Sequence, residues 1–318
     1  MSRRRKRDCR DVSGILLIDK PAGMSSNQAL QQAKRLYKAC KAGHTGSLDP
    51  IATGLLPLCF GEATKVSQFM LDADKHYLVS VRLGIETDTY DSEGTVVAEQ
   101  PVDVSRRQLE RALKGFVGEI DQIPPMYSAI KQQGQALYHL ARQGVTVERA
   151  PRRITMYNIQ LLDFDGETAE IEIECSKGSY IRSLAHDLGQ RLGCGAHVSA
   201  LRRLGVGDFD IAEAVTPEAL EALDEAGRDR HLLAPDRALP DLPEVRLSRL
   251  AIPYLLQGQP VSARLGTVSG WVRLYADDGR FLGVGEVLDD GRVAPKRLMV
   301  PVDGGAGQAG EKAEKSVK

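Results

Sequence analysis

Five cysteines, Cys9, Cys40, Cys59, Cys175 and Cys194, are scattered over the 318-residue chain with no Cys-x-x-Cys pair. That spacing argues against a disulfide framework and a zinc knuckle, and all five read as reduced thiols, mostly core filler. The six histidines are equally dispersed, with no pair on one helical face, so a protein-bound metal is not expected. Long apolar runs are missing too. The longest uncharged apolar stretch, residues 51–61, is interrupted by Pro57 and is far shorter than the roughly 20 residues that span a bilayer. Residues 15–18 are too few for the apolar part of a signal peptide. No membrane segment and no secretion are expected, which places the chain in the cytoplasm. No G-x-x-x-x-G-K-[ST] loop is present. Gly305, Gly307 and Gly310 spell G-x-G-x-x-G, but in a low-complexity tail without the strand and helix that a dinucleotide site requires. No cofactor is indicated.

What is present is the composition of a soluble globular protein, 42% hydrophobic and 27% charged. At this length a large domain with a smaller companion is expected. The net charge is only -1, yet it is unevenly distributed. Residues 1–10 carry six Lys/Arg against Asp8, residues 20–48 carry five against none, and residues 175–207 carry five against Asp187. Residues 208–244 compensate with eleven Asp/Glu against three Arg. Such polarisation predicts one strongly positive face and a polyanionic ligand.

Periodicity predicts a buried strand at 14–19, a helix capped by Ser25 or Ser26 with Ala29, Ala33, Leu36 and Cys40 on one face, and an ordered Gly/Pro-rich loop over 43–61. Residues 62–73 resume a helical pattern. Residues 76–83 alternate, with Tyr77, Val79, Val81 and Leu83 on one face, and are expected to pair with 95–98. Ser105 and Gln108 form a capping box for the next helix. Residues 136–143 read as a helix, 153–164 and 168–175 as a hairpin, and 180–192 as a helix. Pro235, Pro240 and Pro243 mark a linker before short strands at 271–275, 281–287 and 292–300. Hairpins mixed irregularly with helices indicate an α+β fold with a mixed, mainly antiparallel sheet rather than a doubly wound parallel one. The expected division is a basic tail over 1–10, a catalytic domain over 11–242, a small β-rich domain over 243–302 and a disordered tail over 303–318.

The most informative segment is the loop GHTGSLDPIATGLL at 43–56, where three glycines and a proline frame one histidine and one aspartate. A backbone bent in this way presents side chains at fixed positions. On the residues alone, Asp49 reads either as a turn-capping carboxylate or as a nucleophile or base. His44 by itself reads as a loop hydrogen-bonder, Tyr77 as core or pocket wall, and Arg182 as an ordinary first-turn helix residue.

The stretch 43–65, GHTGSLDPIATGLLPLCFGEATK, resembles the signature of the TruB-type tRNA pseudouridine(55) synthases. The resemblance continues through DKPAGMSS at 19–26, LGIETDTYDSEG at 83–94, PPMYSAIKQQGQALYHLARQG at 124–144 and KGSYIRSLAHDLG at 177–189. It is weak over 210–234, and the final β-rich segment is similar to a PUA-like RNA-binding domain in position and pattern only. The resemblance implies the pseudouridine synthase fold, a cofactor-free isomerisation of uridine 55, and the T-stem-loop of tRNA as partner, with no obligate protein partner and a monomeric chain. It implies Asp49 as the nucleophile, whether on the sugar, on the ring or by way of elimination, and Tyr77 as the residue stacked on the target uracil. Arg182 becomes the partner of the catalytic carboxylate, and His44 the stand-in for the extruded base. Tyr180 and Leu201 would line the base pocket, with Lys20 and Lys65 near it as supports or phosphate contacts. Two other classes compete: a tRNA-folding chaperone, which needs no chemistry, and a two-carboxylate glycosidase, for which Asp49 has no acidic companion in its motif.

Overall fold

The computed structural model describes residues 9–299, apart from 129 and 133. Along the chain come β1 (Gly14–Lys20), α1 (Ser26–Leu36), β2 (Ala42–His44), β3 (Thr53–Phe60), α2 (Ser67–Asp72) and β4 (Lys75–Leu83). A hairpin of β5 (Ile85–Thr87) and β6 (Val96–Glu99) precedes α3 (Arg106–Lys114), β7 (Gly118–Gln122) and α4 (Leu137–Arg142). Then follow β8 (Arg152–Phe164), β9 (Thr168–Cys175), α5 (Ile181–Leu192), β10 (Ala196–Val206) and the short β11 (Leu232–Leu233). Eight of them form the path β11-β1-β3-β10-β4-β9-β8-β7 of a ten-stranded sheet, completed off that path by β2 on β3 and by residues Phe209–Asp210 on β10, while β5 and β6 pair only with each other. Neighbours on this path run antiparallel except β3 and β10, which meet in parallel at Thr53–Arg202 and Gly54–Arg203. The α+β reading holds.

Both faces of the sheet are covered, which is why β1 reads as a continuous apolar run. Leu16 and Ile18 enter one core cluster with α1 and α5, whereas Ile15 and Leu17 enter a second cluster on the opposite face. The alternation of β4 is observed, with Tyr77, Val79, Val81 and Leu83 buried. Helix α1 begins at Ser25, whose hydroxyl accepts from the Gln28 N–H while the Gln28 side chain returns to the Ser25 N–H.

The second half of the expected 43–61 loop is a central strand instead. All of β3 after Thr53 is buried, so its apolar run lacks alternation, and the Pro57 carbonyl accepts the Thr45 N–H. Residues 96–99 pair with β5 rather than β4, because both edges of β4 are occupied by β9 and β10. Helix α1 ends at Leu36, so Cys40 is not on its apolar face. Cys40 forms a disulfide with Cys9, against the expectation of five reduced thiols. Backbone pairing of Arg10 with Ala39 brings the two Cα atoms to 5.1 Å, a proximity that a separation of 31 residues does not announce. Cys59, Cys175 and Cys194 are free and buried.

The second domain is a five-stranded sheet in the order β12 (Glu244–Leu247), β14 (Gly270–Ala276), β15 (Phe281–Val287), β16 (Arg292–Leu298), β13 (Val261–Ser262). The proline-marked segment before it is packed rather than free, because its apolar residues have somewhere to go. Ala238 and Leu239 are buried in a seam with Val206, Phe209, Val284 and Met299. Phe69 meets Trp271 edge-on across the same seam, ring centroids 5.8 Å apart. The tail residues 1–8, the segment 300–318 and the Gly305–Gly310 motif lie outside the described residues.

Candidate active site

Asp49 stands on the loop between β2 and β3, which is tied down at several points. The Ser26 hydroxyl donates to the Leu48 carbonyl at 3.0 Å and accepts the Leu48 N–H at 2.7 Å. Ala52 N–H closes a turn on the Asp49 carbonyl at 3.1 Å. At Gly54, φ is +101° and a Cβ would fall 2.3 Å from the Arg203 carbonyl oxygen, so only glycine permits β3 to approach β10 here. Lys20 is fully buried, and its ammonium donates to the carbonyls of Pro21 at 2.8 Å, Met24 at 2.6 Å and Pro50 at 3.4 Å. Burial lowers its pKa to about 8, with Asp49 opposing that shift. Lys20 therefore supports the loop from beneath.

Arg182, in the first turn of α5, is 5% exposed and grips Asp49 with two nitrogens. Its Nε lies 2.9 Å from Oδ2 and its Nη2 3.2 Å from Oδ1. The same guanidinium donates to the carbonyls of Tyr127 at 2.7 Å and Thr89 at 3.1 Å, and its Nη1 is 3.5 Å from Asp91 Oδ2. This planar, multiply bonded hold fixes the carboxylate more firmly than a point charge could. Desolvation raises the Asp49 pKa above the ordinary carboxylate range, and Arg182 is the largest opposing influence. The Asp49 side chain keeps 39% exposure, enough to meet a ligand.

Asp49 opens into a cavity of about 540 Å³ lined by Tyr77, Tyr180, Leu201 and Arg182 among others. Tyr180 is the N-cap of α5, and its backbone is fixed by Gln122, whose amide accepts the Tyr180 N–H at 2.8 Å and donates to the Tyr180 carbonyl at 3.0 Å. Burial raises the Tyr77 phenol above its ordinary value, so it is protonated at neutral pH. His44 lies on β2 outside the cavity lining, with Nδ1 buried and without a hydrogen-bond partner among the described residues. Desolvation, then Arg203, lowers its pKa and keeps the ring neutral at pH 7.

Lys65 is not brought to this cavity. Its ammonium pairs with Glu62 and donates to the Leu298 carbonyl at 2.7 Å, tying the two domains together. It borders a larger, mostly apolar cleft of about 850 Å³ at the domain seam, which among the predicted site residues contains Lys65 alone. Three residues escaped the reading of the sequence: Gln122, Arg203 and Asp91. Asp91 is the acidic companion that the Asp49 motif lacks. It is buried, accepting the Thr89 hydroxyl at 2.6 Å and the Glu93 N–H at 3.1 Å. Its signal was the Tyr-Asp-Ser-Glu-Gly run at 90–94, where Tyr90 adopts φ +64°. The basic cluster over 175–207 also changes meaning, since Arg182 and Arg203 face inward rather than forming a positive surface.

Residues 34–181 match the N-terminal domain of the TruB family of pseudouridylate synthases, 182–240 a C-terminal domain of tRNA pseudouridylate synthase B, and 243–299 the C-terminal region of pseudouridine synthase II TruB. The tRNA pseudouridine synthase B of Tolumonas auensis is 52% identical over 99% of this chain and 100% of its own length. The chain belongs to the TruB family of pseudouridylate synthases. That of Pseudomonas aeruginosa is 54% identical over 92% of this chain and 98% of its own. Membership makes the chain a pseudouridine synthase, an isomerase. Among solved structures, the matching chain of an archaeal box H/ACA sRNP Nop10-Cbf5 complex has a TM-score of 0.69 at 24% identity, covering 91% of this chain and 87% of that one. A Cbf5-Nop10-Gar1 complex gives 0.67 at 26% identity over 91% and 84%. Both similarities are to the pseudouridine synthase fold.

Proposed function

We propose that this TruB-family enzyme converts uridine 55, in the T-loop of tRNA, to pseudouridine, with Asp49 as nucleophile on a nucleotide flipped out of the loop. The observation that carries the reading is the two-nitrogen hold of Arg182 on Asp49 at a cavity walled by Tyr77, Tyr180 and Leu201. Relatives that span nearly the whole chain bear the name tRNA pseudouridine synthase B. A cavity of about 540 Å³ is of the size that holds one small ligand such as a flipped nucleotide. Asp49 then lies at one edge of the ring and the neutral Tyr77 phenol against its face. Base–aromatic stacking of about 1–3 kcal/mol per ring offsets most of the few kcal/mol that flipping costs. Neutral His44 takes the place left by the extruded base. The enzyme works as a monomer in the cytoplasm.

Incubating the protein with an unmodified tRNA transcript, followed by nucleoside analysis and mapping of the modified position, tests the assignment. Pseudouridine is expected at position 55, and none from Asp49→Asn or Asp49→Ala with tRNA affinity kept within a few-fold. Product at another position refutes the site, and turnover by Asp49→Ala refutes the nucleophile.

A further inference from the structure

The sheet delivers a second guanidinium to the same cavity, one that the nucleophile does not use. Arg203 on β10 is paired directly with Tyr77 on β4 and is 1% exposed. Its Nε–H donates to the Leu55 carbonyl at 2.7 Å, while Nη2 is buried without a hydrogen-bond partner among the described residues. Its neighbour Arg202 is paired with Asp19, and Asp49 and Asp91 are both taken by Arg182. Arg203 has no ion pair among the described residues. Burying a cation with neither a counter-ion nor a full set of acceptors is expensive, and folds keep such groups where the compensating charge arrives with the reaction. Its positive potential reaches four titratable side chains nearby. It disfavours the protonated forms of Lys20, His44 and Lys75 and opposes the rise of the Tyr77 phenol.

We propose that Arg203 stabilises the uracil anion released when the glycosidic bond breaks, a role that rests on the nucleophile reading of Asp49. In that step an Asp49 carboxylate oxygen forms a bond to C1′ and the C1′–N1 bond breaks. The bonding pair leaves with N1 and spreads onto O2 and O4. The negative charge of the carboxylate thus passes to the base, and no proton moves. A ring lying on Tyr77 brings the new anion next to the buried guanidinium, where little water screens the attraction and no reorganisation is needed. The same arrangement holds the anion in place until C5 bonds to C1′.

The test compares two tRNA transcripts, one with uridine and one with 5-fluorouridine, under single-turnover conditions, following loss of the target nucleoside by digestion and mass spectrometry. Fluorine at C5 stabilises the departing anion, so the fluorinated base depends less on the protein for that service. Arg203→Gln removes the charge and keeps an amide donor for Leu55. It is expected to slow uridine consumption about 100-fold, the loss typical of one electrostatic donor, and 5-fluorouridine consumption by no more than about tenfold. Arg203→Lys keeps a charge at shorter reach and is expected to lose roughly three- to tenfold with uridine and less with 5-fluorouridine. Equal losses on both substrates in Arg203→Gln, or Arg203→Lys as slow as Arg203→Gln, overturn the proposal in favour of a structural role. If Arg203→Gln does not fold, Arg203→Lys decides: a greater loss with uridine supports the proposal, and equal loss or none overturns it. Asp49→Asn in the same assay separates the two ideas, since continued consumption of the target nucleoside by that variant sinks the nucleophile reading whatever Arg203 does.

Discussion

Replacing Arg182 by lysine keeps one positive charge beside Asp49 and discards the plane that holds it. In the native protein this guanidinium serves four groups: the Asp49 carboxylate, the Asp91 carboxylate and the carbonyls of Tyr127 and Thr89. An ammonium has three N–H donors on a shorter stem and must leave at least one of the four unmet. One orphaned acceptor costs about 1–3 kcal/mol, so urea unfolding should report a stability loss of that order. The effect on rate is larger. Released from the two-nitrogen hold, Asp49 moves by something near 1 Å, and a displacement of that size costs about 100-fold in a positioned reaction. Single-turnover formation of pseudouridine should fall by roughly that factor, while tRNA affinity stays within about threefold because one inward-facing residue contributes little to phosphate contacts. Wild-type turnover by Arg182→Lys would refute the clamp. A rate loss matched by an equal loss of affinity would assign Arg182 to holding RNA instead of Asp49.

Three further outcomes are expected. Tyr77→Phe keeps the ring and loses the hydroxyl, so near-normal binding with a severe rate loss identifies a proton-transfer role, whereas full activity leaves stacking as its only role. Lys20 is a base whose folded pKa, about 8, lies below its ordinary value near 10.4, so between those values the unfolded chain binds the extra proton. Stability relative to Lys20→Met should therefore rise with pH across that window, by on the order of 2 kcal/mol between pH 7.5 and 9.5 in urea titrations, and a flat difference contradicts the buried charge. The Cys9–Cys40 bridge closes a loop of 31 residues, so reduction should lower stability by about 3–4 kcal/mol. Five titratable thiols in unreduced, denatured protein would show that the bridge does not form.

Much of the site was legible because the residues that define it sit in one rigid loop. Asp49 and its flanking glycines stand within a dozen positions, and Tyr77 falls on a strand with clear alternation. The partnerships were not legible in the same way. Asp91 reaches Arg182 from a hairpin some ninety residues earlier in the chain, and Arg203 meets Tyr77 only through strand register. Nothing in local periodicity encodes such pairings. The 53–60 strand was hidden for a related reason: glycine and proline mark loops when exposed, but a strand buried on both faces has no alternation to betray it. Lys65 was placed by motif proximity, and its carbonyl partner on β16 belongs to the other domain.

The parallel pairing of β3 with β10 in the large sheet has a consequence for how the enzyme is born. Gly54 emerges from the ribosome about 150 residues before Arg203, the residue beside which it must lie. At a synthesis rate of about 5–20 residues per second, the loop bearing the nucleophile waits roughly 8–30 seconds for the strand that completes its pocket. A nascent chain therefore carries Asp49 without Arg182 for most of that interval and has no competent site to offer RNA. Premature release before β10 yields a fragment without Leu201 and Arg203 of the cavity wall and without the strand that both β3 and β4 pair with.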